Sequence, residues 1–256
     1  MHAPRPQTCT TLPRDQAVVW LSSIHRAAQP DDWPSSARLL DEEEQRRYRA
    51  YRFPADARLY LHAHVLLRTT LSRYANVPPE DWRFVFGGHG RPEIATERNT
   101  QPGLRFNLSH TSGLAACAVT SRVAVGVDVE RLDRPVQTQA IADRYFSRQE
   151  AQRLRELPHA QQRVRFLEFW TLKEAYIKAC GGGLSIPLDR FSFEHDARGH
   201  WRIAFATPRD GVEADWQFVC QRPTLDHVLA VAIHRPGQRD LNIDVRESGD
   251  KADIHV

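Results

Sequence analysis

Lysine is nearly missing from this sequence. Of 35 basic residues in 256, only Lys173, Lys178 and Lys251 are lysines, and two of the three share one window, FWTLKEAYIKACGGGL, residues 169–184. Long apolar runs are also missing, which excludes a membrane-spanning helix, and the N-terminal stretch has no apolar core of a secretory signal. Cysteine is sparse. Cys9, Cys117, Cys180 and Cys220 have neither metal-ligand spacing nor a disulfide framework, so a reducing compartment, the cytoplasm, is expected. No lysine/arginine run interleaved with aromatics is present, which argues against nucleic acid. The net charge of +3 is too small to argue for it alone, yet suits a site for an anionic small molecule.

What is present reads as helices and short strands. The polar, proline-bearing start, to about Gln16, is expected to fray. Strands are expected at 17–24, 81–86, 104–110, 114–120, 123–130 and in four C-terminal pieces (FSFEH, HWRIAFA, WQFVC, HVLAVAIH). Helices are expected at 35–51, 55–74, 137–157 and 163–180, the last stopped by three glycines. From about Gly237 the chain is charged and poor in large apolar groups, and reads as a loose tail. The order makes an α+β protein with a crude duplication, a long helix plus antiparallel strands in each half.

Three stretches carry chemistry. In VAVGVDVE (123–130) strand alternation puts Val125, Val127 and Val129 on one face and Gly126, Asp128 and Glu130 on the other. The Cα atoms of the two acids then stand roughly 6.5–7 Å apart. Such a pair repels unless a cation lies between or one is protonated, and magnesium favours hard oxygen ligands of this kind. Gly126 leaves bare backbone where a ligand could approach. The plainer alternative is an edge strand with two solvated acids. In the lysine-bearing helix Trp170, Glu174 and Lys178 lie on one face, with Lys173 one position off it. A solvated Glu–Lys pair is the plain reading, but arginine serves that role elsewhere in this chain. Both lysines are therefore expected to face chemistry, with Glu174 a metal carboxylate or general base. In FNLSHTS (106–112), Phe106 and Leu108 are expected in the core and Asn107 and Ser109 pointing away. His110 is either a phosphate-gripping residue or a turn histidine. GGHGRP (87–92) lacks the lysine and hydroxyl of a phosphate loop. His62 and His64, two apart on a helix, point to different sides and do not read as a metal pair.

Together GRP (90–92), FNLSH (106–110), VGVDVE (125–130) and FWTLKEAYIK (169–178) resemble the Sfp-type 4'-phosphopantetheinyl transferases, over about Leu39 to Ile233. The resemblance implies a magnesium-dependent (or manganese-dependent) enzyme that moves phosphopantetheine from coenzyme A to a serine of an apo acyl or peptidyl carrier protein, leaving adenosine 3',5'-bisphosphate. It implies Asp128, Glu130 and Glu174 as metal carboxylates and Lys178 beside the pyrophosphate. It further implies His110 near the phosphates, with Ser109 beside it, and Gly90, Arg91 and Pro92 around the adenine. Arg47, with Arg58 as a second candidate, is implied at the 3'-phosphate. The fold implied is a pseudo-dimer within one chain, halves 1–121 and 122–256, monomeric, cytoplasmic, and docking an acidic carrier through exposed arginines. The rivals are a coenzyme A-binding module without catalysis and a magnesium-dependent pyrophosphohydrolase.

Overall fold

The computed structural model describes residues 10–24, 33–88, 90–95, 103–207 and 212–248. The fraying expected for residues 1–9 and the tail beyond 248 lie outside these. In chain order the elements are β1 (Gln16–Ser23), α1 (Trp33–Ser36), α2 (Glu42–Ala50), α3 (Pro54–Tyr74), β2 (Phe84–Phe86), β3 (Pro92–Ile94), β4 (Leu104–Thr111), β5 (Leu114–Ser121) and β6 (Ala124–Arg131). They continue with α4 (Thr138–Tyr145), α5 (Arg148–Glu156), α6 (His159–Cys180), β7 (Phe191–His195), β8 (Trp201–Phe205), β9 (Trp216–Thr224), β10 (His227–His234) and β11 (Asn242–Glu247). Two expected helices divide. Residues 35–51 become α1, a short 3-10 turn and α2, because Asp41 and Glu44 form a capping box that starts a new helix. Residues 137–157 break where Ser147 and Glu150 do the same.

Two sheets and two long helices make four layers. The first sheet has the order β11-β1-β5-β4 and the second β6-β10-β9. Alternation along the strands sorts side chains between layers. Val18 and Trp20, with Cys117 and Val119, pack against α3. Ala17, Val19, Leu21, Ala116 and Ala118 turn the other way, and meet Val125, Val127 and Val129 of β6 and Leu229, Val231 and Ile233 of β10 in a core between the sheets. Ala230 and Ala232 join Phe169, Leu172 and Tyr176 of α6 in a third core. Each half thus has a long helix on the outer face of its own small sheet, an α+β pseudo-dimer. Among the described residues no helix is long and apolar enough to cross a membrane.

The expected loose tail is not observed up to 248. Asn242–Glu247 forms β11 and pairs in parallel with β1, from Gln16↔Asn242 to Leu21↔Glu247. Ile243 and Val245, two apart, share a face and pack on the core between the sheets. A two-residue apolar alternation suffices where β1 offers an unpaired edge. The C-terminal end of the chain therefore completes the N-terminal sheet, which is mixed rather than purely antiparallel.

Candidate active site

β6 is an edge strand of its sheet, and its free edge is closed by side chains. Asn107 Oδ1 accepts the Val127 N–H at 2.9 Å and Ser109 Oγ accepts the Val129 N–H at 3.3 Å. Lys178 Nζ donates to the Val127 carbonyl at 3.2 Å, and Arg91 donates to the Val125 carbonyl at 3.4 Å. Asn107 and Ser109, expected to point away from the core, are buried. Their strand face is not solvent but the seam between the halves. Residues two apart on one strand thus replace a missing neighbour's backbone.

The acids sit on this seam. Asp128 Oδ1 accepts from Lys178 Nζ at 2.7 Å and from Ser109 Oγ at 2.9 Å, while Lys178 also donates to Ser109 at 3.1 Å. Asp128 Oδ2 is buried and, among the described residues, has no hydrogen-bond partner. Glu130 accepts from Arg134 at 2.5 Å. Burial, and then repulsion from Asp128, push the Glu130 carboxyl up to about 7, against the pull of Arg134 and Lys178. The Glu174 carboxyl is raised by the same two causes in the same order. Asp128 thus raises the cost of ionising both Glu130 and Glu174, and the three carboxyls outnumber the two cations beside them, Lys178 and Arg134. Among the described residues no three carboxylate, histidine or cysteine side chains already converge as a metal-holding group. Lys178 and Arg134 occupy the positions nearest Asp128 and Glu130. Hard oxygens, an orphaned buried carboxylate oxygen and raised pKa values nonetheless fit a divalent cation such as magnesium.

Gly126 does not leave room for a ligand. A Cβ there would lie 2.0 Å from the Ala175 carbonyl oxygen and 2.5 Å from the Ala179 nitrogen, because α6 crosses β6 at this point. The glycine brings the helix close enough for Lys178 to reach Asp128 and Val127. Lys173 does not face the site either. It is fully buried and paired with Glu150 at 2.8 Å, on the opposite side of α6.

His110 stands exposed in β4 next to this cluster. Dense protein behind the ring, then the proximity of His64 and Lys178, pull its pKa to about 4, a shift that solvent at its open edge moderates. Neutral imidazole is its form at neutral pH. Arg91 donates to the Ala179 carbonyl at 2.9 Å, complementing the C-terminal end of α6, where Gly181 adopts φ 70°. Gly90, with φ 76°, turns the chain into Pro92, which faces Phe86 across the β2–β3 pair. Arg47 lies over the Phe86 ring at 4.8 Å and also binds Glu43 at 3.1 Å. Gly90, Arg91, Pro92 and Arg47 are thus brought together through Phe86. Arg58 is exposed near the start of α3 and joins none of these contacts among the described residues.

Sequence reasoning missed Arg134 and the covering role of Asn107. Arg134 gave no signal, because it lies beyond the strand in a turn. The alternation that paired Asn107 with Ser109 was available, and only the identity of the surface they face was not.

Comparison with known proteins agrees with this geometry. Residues 27–122 match the family model described as 4'-phosphopantetheinyl transferase, N-terminal, and residues 124–232 match the 4'-phosphopantetheinyl transferase superfamily. The 4'-phosphopantetheinyl transferase HetI of Nostoc sp. is 35% identical over 182 residues, 69% of this chain and 76% of that protein. Sfp of Bacillus subtilis is 33% identical over 60% of this chain and 66% of that protein. The mouse L-aminoadipate-semialdehyde dehydrogenase-phosphopantetheinyl transferase is 26% identical over 96% of this chain and 84% of that protein. The chain belongs to the Sfp-type 4'-phosphopantetheinyl transferases.

Proposed function

We propose that the protein transfers the 4'-phosphopantetheine arm of coenzyme A to a serine hydroxyl of an apo acyl or peptidyl carrier protein, with magnesium, releasing adenosine 3',5'-bisphosphate. The observation that carries this reading is the seam cluster. Asp128 has one oxygen on Lys178 at 2.7 Å and the other buried without a partner among the described residues, flanked by two carboxyls with raised pKa values. Asp128, Glu130 and Glu174 would hold the metal. When bound, it would neutralise charge on the phosphate oxygens as the β-phosphorus is attacked. Lys178 supplies a fixed positive charge at the same phosphates. Glu174, more basic than an ordinary carboxylate, suits removal of the serine proton. His110, neutral and exposed, can hydrogen-bond a phosphate oxygen beside Ser109. Gly90, Arg91, Pro92 and Arg47 would hold the adenosine end, with Arg58 as a further basic group.

We assign the two halves to 1–121 and 122–256. The family models end and begin at 122 and 124, which supports this division. Because β11 pairs with β1, the second half's last strand belongs spatially to the first half's sheet. The pseudo-dimer supplies both halves of the seam from one chain, so the active species is a monomer. Steering of an acidic carrier by exposed arginines predicts initial rates that fall as salt rises.

The reaction is tested by following adenosine 3',5'-bisphosphate chromatographically. Release that requires both coenzyme A and an apo carrier supports the transferase. Release without any carrier would show a hydrolase, and no release at all with a carrier set spanning fatty acid, polyketide and peptide pathways would contradict the proposal.

The carboxyl cluster predicts a pH-dependent metal response. A carboxyl raised above its unfolded value of 4.5, as Glu130 is to about 7, takes up a proton on folding within that window. Its contribution to stability is full below about pH 4.5 and is lost as pH rises towards 7. The metal needs the deprotonated form. Magnesium should therefore raise the melting temperature more at about pH 8 than at about pH 5.5. An equal rise at both, or none, contradicts the ligand set.

A further inference from the structure

A cavity of about 290 Å³ opens in the C-terminal half, between α5, α6 and the β7–β8 hairpin. It shares no lining residue with the seam cluster. Phe193, in its floor, donates its N–H to Glu150 at 3.0 Å, and its ring lies 6.0 Å from the Lys173 nitrogen. The cavity therefore lies on the side of α6 turned away from Glu174 and Lys178. Its volume is on the order of ten water molecules' share of the liquid, which is room for a body of one or two rings.

The floor is aromatic. Phe169, Phe193 and Trp201 are buried, and Phe169 meets Trp201 edge to face with centroids 6.0 Å apart. The ring faces that a cationic ligand needs are already in use. Arg165 lies 5.5 Å from the Trp201 centroid and 5.9 Å from that of Phe169. His195, the cross-strand partner of Trp201, stacks on it at 3.8 Å. A second cation gains little attraction there and meets the Arg165 charge.

Arg153, Arg165, Glu156 and Glu194 line the walls. Arg153 donates to Glu194 at 3.3 Å and to the Phe193 carbonyl at 3.4 Å, and Glu156 accepts from Gln152 at 2.9 Å. Arg165 is only partly used. Its Nε lies 3.2 Å from Glu168, and its two terminal nitrogens make no hydrogen bond to a described residue. Stacking over two rings fixes the plane of the guanidinium, so little freedom is lost when it takes a partner. Such a fork matches a carboxylate with two parallel hydrogen bonds. Glu156 and Glu194 repel further negative charge, which turns away a polyanion such as coenzyme A. One carboxylate on an aromatic body satisfies the free donors, the rings and the charge balance together.

We propose that this cavity is a second binding site, separate from the seam, for a small aromatic monocarboxylate. The carboxylate pairs with Arg165 and the ring system packs against the aromatic floor. The site does not depend on the transferase reading, since it uses none of the same residues.

The test is titration calorimetry with three probes that share one ring system: indole-3-acetate, its neutral amide indole-3-acetamide, and the cation tryptamine. With the wild-type protein, indole-3-acetate should bind saturably with a Kd of about 1 mM or below, the amide about tenfold more weakly, and tryptamine no better than the amide. Arg165→Gln should weaken indole-3-acetate about tenfold, while the control Arg198→Gln, at an exposed position of the same hairpin, stays within about twofold of wild type. Should Arg165→Gln melt well below wild type, Arg165→Lys is read in its place. It keeps the charge, loses the fork, and should weaken binding about threefold. The assignment is overturned if indole-3-acetate shows no saturable binding below about 10 mM, or if tryptamine binds the wild type more tightly than the acetate does. It is overturned equally if the folded Arg165 variant binds indole-3-acetate within about twofold of wild type.

Discussion

Lys173→Ala is expected to lower folding stability by about 3–5 kcal/mol, the cost of stranding one member of a buried ion pair. Lys173 and Glu150 are both fully buried, and the ammonium donates to Glu150 at 2.8 Å, to the Leu188 carbonyl at 2.8 Å and to the Phe191 carbonyl at 2.7 Å. Three donors meet three acceptors, so the group is fully satisfied. Ring faces of Phe191 and Phe146 lie 4.3 Å and 5.3 Å from the nitrogen. The bond ties α6 to α5 and to the strand that follows it. Glu150 uses its remaining capacity on Ser147 and the Phe193 N–H. Here is the reason a chain that otherwise writes arginine keeps lysine at 173. A planar guanidinium with five donors would overfill the space and leave donors unpaired. Lys173→Arg is therefore also destabilising. Lys173→Met combined with Glu150→Gln should be milder than Lys173→Ala alone, since no charge is then left unpaired. Urea denaturation of the four proteins checks this. An alanine variant within about 1 kcal/mol of wild type would show that the pair is not a strut.

Gly126→Ala should reduce transfer by about a hundredfold, the order expected when catalytic groups move by about 1 Å. The new methyl would lie across the Ala175–Ala179 hydrogen bond of α6, at 2.0 Å and 2.5 Å from its two ends. These are backbone atoms, so no side-chain rotation relieves the clash and the helix must move away. Glu174 and Lys178 move with it, and the 2.7 Å bond from Lys178 to Asp128 lengthens. Overpacking alone costs about 1–3 kcal/mol, so the variant should still fold. Carrier modification rates beside a thermal melt separate the two effects. Wild-type rates in a folded Gly126→Ala protein would contradict the role given to this crossing.

The sequence made the strand and helix faces legible but not what lies against them. Alternation in VAVGVDVE separated the three valines from Gly126, Asp128 and Glu130, and the structure keeps that separation. It also buries both faces, one between the sheets and one under α6, so Gly126 serves a helix and not a ligand. Helical spacing set Lys173 off the face of Glu174 and Lys178. It gave no sign that the other face is an aromatic core, so the two lysines looked alike. Asn107 and Ser109 were placed on the right face with the wrong neighbour, because a seam between halves leaves no local signature. β11 was read as tail because charged residues outnumber its two apolar contacts, and its stability comes from an edge in β1 more than two hundred residues earlier.

The most direct test of the account is the intact mass of an apo carrier protein after incubation with coenzyme A, magnesium and this protein, beside a Glu174→Ala control. The account predicts a carrier heavier by one phosphopantetheinyl group with the wild-type protein, no gain without metal, and little or none with the variant. Unmodified carriers across a broad set, or full modification by Glu174→Ala, would contradict it.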